Sequence, residues 1–152
     1  AVRISNKMGV GMGTIYKEIS EANIINKMSL MGNVKNKICI IVDDMIDTAG
    51  TATKASYLLK ENGADKIYMF ACHGLFSKNA IDRLGKSQFD KIVVTNTLNQ
   101  SRHYDKIKKL KLEDKFDVID VSWMCAEAIR GCNYGQSLHT LYDNNIKINI
   151  NK

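Results

Sequence analysis

Near-continuous apolar runs recur along this chain with helical spacings between them. Ile38 to Val42, Ile67 to Cys72, Ile92 to Thr95 and Val118 to Val121 read as strands buried on both faces. After the first of them, Ala52, Ala55, Leu58 and Leu59 fall on one helical face, and Gly63 stands where a C-terminal cap belongs. Ser77 is placed to cap a helix carrying Ala80, Ile81 and Leu84, and Ser122 one carrying Met124, Ala128 and Ile129. The alternation predicts an α/β fold with a mostly parallel sheet flanked by helices on both faces, Ile38 to Val42 being an interior strand. The segment from Leu98 to Phe116 is polar, with Lys106, Lys108, Lys109 and Lys111 clustered, and reads as a solvated connection or an anion-binding patch.

Composition narrows the class. At 152 residues with 45% hydrophobic content, one domain with one core is expected. The sequence has neither an apolar run of membrane-spanning length nor a signal-peptide pattern, so a soluble, cytoplasmic protein with no membrane partner is expected. Cys39, Cys72, Cys125 and Cys132 form no CxxC pair, and most lie in apolar surroundings, which predicts buried free thiols. A net charge of +6 suits an anionic partner, a phosphorylated small molecule as well as RNA. The lysines are scattered and no aromatic-interleaved motif accompanies them, so no nucleic acid is expected. The sequence opens at Ala1-Val2 without Met, which suggests a piece of a longer protein.

The stretch Ile40 to Thr51, IIVDDMIDTAGT, carries the chemistry. In parallel sheets ligands gather beyond the carboxyl ends of strands, where Asp43 and Asp44 are expected to stand. Thr48-Ala49-Gly50-Thr51 then opens a helix, whose free N–H groups, dipole and two hydroxyls suit a phosphate dianion. Three aspartates beside such a cradle would repel a bare anion, so they must face hydroxyl donors or a divalent cation. A phosphorylated sugar offers both ends. The plain alternative is that Thr48 caps the helix and the aspartates are solvated turn residues. A Walker loop is excluded because Gly50 is followed by Thr51 and Ala52 rather than by Lys and Ser or Thr. Gly9-Val10-Gly11-Met12-Gly13 has the wrong spacing for a dinucleotide fingerprint and reads as a turn. A receiver-domain reading of the acidic pair leaves the threonine loop without a purpose.

The same stretch resembles the phosphoribosyl-binding signature of type I phosphoribosyltransferases and phosphoribosyl pyrophosphate (PRPP) synthetases, the ribose-phosphate diphosphokinases. Its flanks are similar to the synthetases: Tyr16-Lys17-Glu18, Ala22-Asn23 and Met31-Gly32-Asn33-Val34 before it, then His73-Gly74-Leu75-Phe76-Ser77 and Val94-Thr95-Asn96-Thr97. Ile119-Asp120-Val121-Ser122 and Ala126-Glu127-Ala128-Ile129-Arg130 continue the likeness. It covers nearly the whole chain and matches the C-terminal half of such an enzyme.

The resemblance implies a type I phosphoribosyltransferase-like domain spanning 1–152, without the N-terminal ATP-binding half. It implies a parent reaction moving the β,γ-diphosphate of ATP onto the C1 hydroxyl of ribose 5-phosphate, giving PRPP and AMP. Carried over, Asp43, Asp44, Asp47, Thr48, Ala49, Gly50 and Thr51 bind ribose 5-phosphate, with Asp43 and Asp44 also facing Mg2+. Lys17 takes the place of the family's catalytic lysine, although read alone it is an ordinary surface lysine. ATP as second substrate, a homo-oligomer and an isolated fragment without activity are implied too. Where the family follows Lys-Glu with arginine, this chain has Ile19-Ser20-Glu21, so a catalytic-loop cation is missing. That departure keeps open a catalytically weak regulatory paralogue. His139 is a second departure, standing where a small hydroxyl residue is usual, while Ser137 agrees.

Overall fold

The computed structural model describes residues 2–19, 25–139 and 141, and the side chains of all of these except 17–19 and 25–27. Contacts gather in two units, Ala1–Ile119 and Asp120–Lys152. The first opens with helix α1 (Val2–Met8) and an antiparallel pair, β1 (Thr14–Ile19) and β2 (Ile25–Met31). Then follow β3 (Ile38–Ile46), α2 (Gly50–Glu61), β4 (Lys66–Gly74), α3 (Ala80–Lys86), β5 (Lys91–Thr95), α4 (Ser101–Lys109), a 3-10 turn (Glu113–Lys115) and β6 (Phe116–Ile119). Strands β3 to β6 form one parallel sheet in chain order, flanked by helices as the alternation predicts. The second unit holds α5 (Ser122–Asn133).

Alternation builds the core of the first unit. Ile67, Met69 and Ala71 of β4 are buried on the face that meets Leu59 of α2, Ile81 and Leu84 of α3 and Ile107 of α4. Ile92 and Val94 of β5 join them, and the β1–β2 pair contributes the half-buried Ile15 and Leu30. Helix α2 ends as its sequence directs: Gly63 takes a left-handed φ of 85°, and its N–H reaches the Lys60 carbonyl at 2.9 Å. A Cβ on Gly85 would stand 2.8 Å from Leu112 Cδ1, so any side chain there would make Leu112 shift from its place on the core.

Four expectations need correction. Among the described residues β3 is an edge strand and not an interior one, and Ile38, Ile40 and Val42 are 59%, 46% and 41% exposed. An apolar run reports affinity for a sheet and does not say how many neighbours that sheet supplies. The polar 98–116 segment folds as α4 and a 3-10 turn, because its sparse apolar members converge. Ile107 is buried, Leu112 packs on the core, and His103 meets Phe76 edge to face at 5.4 Å. Neither serine caps its helix: α3 begins later than Ser77 suggests, Asn79 preceding it without a side-chain cap while the Ser77 carbonyl accepts from Ala80 N–H, and Ser122 is the first residue of α5, which Val121 precedes without a side-chain cap. The four thiols are free, yet Cys72, Cys125 and Cys132 are exposed and Cys39 half-buried: a strand cysteine such as Cys72 alternates outward within its apolar run, and Cys125 and Cys132 stand at exposed positions of α5.

Two outcomes test this packing. Replacing Ile92, 0% exposed, with alanine should cost about 2–5 kcal/mol in denaturant unfolding. Ile40→Ala on the open side of β3 should cost under about 1 kcal/mol. Equal costs would mean that the Ile40 face of β3 is covered. His103 supplies the second. Burial, then the neighbouring Arg102, hold its pKa below the ordinary 6.5, and Arg102 Nε donates to its Nε2 at 3.0 Å. Such a histidine binds fewer protons folded than unfolded. Its contribution is therefore full above the unfolded value and is lost as pH falls through the lower folded one. His103→Phe keeps the ring pair, and its stability should decline less than that of wild type between about pH 6.5 and 5.

Candidate functional site

Strand β3 runs through the acidic pair instead of ending before it. Asp43 lies opposite Ala71 of β4, its Oδ1 accepting from Asp44 N–H at 3.0 Å, and both carboxylates are exposed. Successive strand residues face opposite sides, so the two do not form a chelating fork. Asp47, Thr48 and Ala49 make the turn into α2, which begins at Gly50 with Thr51 next.

The hydrogen bonding of this turn is one-sided. The Ile46 carbonyl accepts from the N–H groups of both Leu75 and Phe76, at 3.0 and 3.1 Å. The Asp47 carbonyl accepts from Ser77 N–H at 3.0 Å, the Thr48 carbonyl from Arg83 Nη1 at 2.9 Å, and the Ala49 carbonyl from Thr53 N–H at 2.9 Å. Four successive acceptors are thereby turned into the protein. The N–H groups of Thr48 to Ala52 have no acceptor among the described residues, and α2 starts without a side-chain cap. The plain alternative, Thr48 as helix cap, is therefore not what forms. Unopposed N–H groups at the start of a 12-residue helix are an anion-binding arrangement.

Backbone strain concentrates here. Ala49 adopts φ 59° and ψ 7° and is 6% exposed. In the segment bonded to it, Phe76 and Lys78 have φ of 49° and 55°. Left-handed conformations at non-glycine residues cost about 1–2 kcal/mol each and persist where surrounding bonds impose them.

Two stretches quoted separately in the sequence also meet. His73 Nδ1 is 2.8 Å from Thr97 Oγ1, and the hydroxyls of Thr95 and Thr97 both reach the Cys72 carbonyl, at 2.7 and 3.0 Å. They line the carboxyl ends of β4 and β5, with His73 opposite Met45 of β3. Lys17 is in β1, paired with Met28, and its side chain lies outside the described residues. Residues 20–24, including Ser20 and Glu21 of the departure, lie outside them as well, as does the Ile19 side chain. In the second unit His139 N–H donates to Ser137 Oγ at 3.2 Å. Arg83 escaped the sequence reading because its contact with Thr48 spans 35 residues; its only sequence signal is a basic position on the polar side of α3.

The pattern of the phosphoribosyl synthetase-associated domain matches residues 14–143. The chain belongs to that family. It is 40% identical over 144 residues to ribose-phosphate pyrophosphokinase 3 of Saccharomyces cerevisiae, a match taking in 95% of this chain and 43% of that protein. The crystal structure of phosphoribosylpyrophosphate synthetase from Mycobacterium smegmatis superposes with a TM-score of 0.72 at 30% identity, over 88% of this chain and 40% of that one. The chain thus spans about two fifths of the length of these phosphoribosyl synthetase relatives.

One position separates fold from site. A Cβ on Gly50 would meet nothing nearer than Arg83 Nη1 at 3.9 Å and Thr48 Oγ1 at 4.0 Å. Gly50→Ala should leave thermal stability unchanged or raise it by up to about 1 kcal/mol through helix propensity. A lowered melting temperature would mean the turn is tighter than these contacts indicate.

Proposed function

We propose that this chain is the C-terminal domain of a ribose-phosphate diphosphokinase and binds ribose 5-phosphate through Asp43, Asp44 and the Asp47 to Thr51 loop. The observation that supports it best is the one-sided turn, which offers backbone N–H groups and the Thr48 and Thr51 hydroxyls to a phosphate. Membership of the synthetase family agrees with that use. Asp43 and Asp44, exposed acceptors set on the strand before the loop, suit the hydroxyls at the other end of the sugar.

Magnesium fits this donor set. Among the described residues no three His, Cys, Asp or Glu side chains gather to hold a metal. Mg2+ characteristically takes only one or two carboxylates and keeps waters and substrate phosphates as its other ligands. Asp43 and Asp44 face opposite sides of β3, so each would offer a single carboxylate to a largely hydrated ion, and bound Mg2+ would screen the charge of ATP phosphates. Lys17 would neutralise charge developing as the diphosphoryl group leaves AMP for the C1 oxygen. In this reading the whole enzyme is a cytoplasmic homo-oligomer taking ATP as its second substrate, and the 152-residue chain alone makes no PRPP. No helix among the described residues is long and apolar enough to cross a membrane. Ile19, at the place of the family's arginine, favours a second reading, a weakly active regulatory subunit of a synthetase complex.

Calorimetric titration with ribose 5-phosphate and with inorganic phosphate tests the division of labour. Thr48→Val with Thr51→Val should weaken both ligands by about 1–3 kcal/mol, as expected for lost charge-assisted bonds. Asp43→Asn with Asp44→Asn should weaken magnesium-dependent ribose 5-phosphate binding yet leave inorganic phosphate unchanged or slightly tighter. Equal losses for both ligands in both variants would make the loop structural.

A further inference from the structure

Of the four inward carbonyls, only that of Thr48 is held by a side chain; the others meet backbone N–H groups. Arg83 Nη1, which makes that bond, is also 3.9 Å from the place a Gly50 Cβ would occupy, and Thr48 Oγ1 is 4.0 Å from it. A guanidinium and a hydroxyl therefore both border the place a Gly50 side chain would enter. Arginine has five N–H donors in a planar fork. Here one is committed to Thr48, and the side chain is exposed. The adjacent Asp82 does not cancel its charge, being paired with Lys106, and Lys86 lies one turn further along α3. Asn79, Asp82, Arg83 and Lys86 together line an open hollow of about 410 Å³.

We propose that Arg83 is the phosphate-selecting residue of this site, an inference that rests on the sugar-phosphate reading of the Asp47 to Thr51 loop. It acts in two linked ways. By holding the Thr48 carbonyl inward it fixes the Thr48–Ala49 peptide ahead of the strained Ala49, so that the Ala49 N–H is kept on the ligand side. The same guanidinium lies behind that peptide, at its carbonyl, and adds positive potential to the donors in front of it, which favours a dianion over a neutral sugar. A salt bridge to another protein residue would have spent this charge; a bond to a neutral carbonyl leaves it available.

The test is titration of the full chain with ribose 5-phosphate, inorganic phosphate and ribose, in wild type, Arg83→Gln, Arg83→Lys and Gly50→Ala. Arg83→Gln keeps a donor for Thr48 but no charge. It should lose about tenfold in affinity for both phosphate-bearing ligands and nothing for ribose. Arg83→Lys should recover most of that loss, and the affinity of wild type should fall more steeply with added salt than that of Arg83→Gln. Gly50→Ala, whose methyl would lie 3.9 Å from Arg83 Nη1 and 4.0 Å from Thr48 Oγ1, should lose phosphate-bearing ligands while remaining folded. Wild-type affinity for ribose 5-phosphate in Arg83→Gln overturns the proposal, as does a loss shared equally by ribose or a lysine variant no better than glutamine. If Arg83→Gln fails to fold, undiminished binding by Gly50→Ala overturns it instead. A wild-type chain that does not prefer ribose 5-phosphate to ribose overturns the loop reading, and this inference with it.

Discussion

The turn between β3 and α2 is tied to the segment that follows β4, and the candidate site depends on that tie. Leu75, Phe76 and Ser77 donate three backbone bonds to the Ile46 and Asp47 carbonyls, and Arg83 continues the series at Thr48. A peptide unit has one donor and one acceptor on opposite sides. Fixing every acceptor inward therefore fixes every donor outward. The left-handed Ala49 follows from the same requirement, since an ordinary helical φ there would turn its carbonyl elsewhere. Phe76 accepts a left-handed φ of 49° on the other side of the tie, yet it is 4% exposed and stacks edge to face with both His103 and Phe116. Core burial of this aromatic ring, about 1.5–3 kcal/mol, is of the size needed to offset the strain it carries.

Parallel pairing delivers the two halves of this tie to one place. The register from Ile38 opposite Lys66 to Ile46 opposite Gly74 makes β3 and β4 end together, so their following turns start side by side. Strand β5 stops at Thr95, level with the Cys72 carbonyl, and brings Thr95 and Thr97 to His73. Sheet geometry thus gathers chemistry from three connections that are distant in sequence, which is why the carboxyl edge of a parallel sheet is a recurrent ligand position.

What could be read from the sequence was what is local. The spacing of Ala55 and Leu59, the stop at Gly63 and the alternation of strands with helices each depend on a few consecutive residues, and α2 does begin at Gly50 as the loop chemistry suggests. The aspartates and threonines could be read for the same reason. Properties set by partners could not. Ile38 to Val42 looks interior whether or not a second neighbour pairs with it, and Ile107 is masked by Lys106, Lys108 and Lys109 until the sheet supplies a surface for it. Arg83 is one basic residue among 22 Lys and Arg; only the fold shows that it alone reaches the Thr48 carbonyl.

The paired chemistry of the motif also has a physical resolution. Three aspartates beside an anion cradle look self-defeating if charge is counted along the sequence, because Asp43, Asp44 and Asp47 fall within a few residues of Thr48. In the structure the carboxylates and the cradle are different kinds of group. The first are exposed side chains in high dielectric, where repulsion at several ångströms is weak and screened. The second is a set of backbone donors held by bonds on their far side, backed by a guanidinium. The donors of the cradle are oriented by these bonds before any ligand arrives. The carboxylates are exposed, with that of Asp43 bonded, among the described residues, only to the neighbouring Asp44 N–H, and in the proposed reading they would adjust to a hydrated cation or to sugar hydroxyls. Under the proposed sugar-phosphate reading, preorganised donors at one end and adaptable acceptors at the other would suit an anchor that stays fixed while the far end of the ligand reacts.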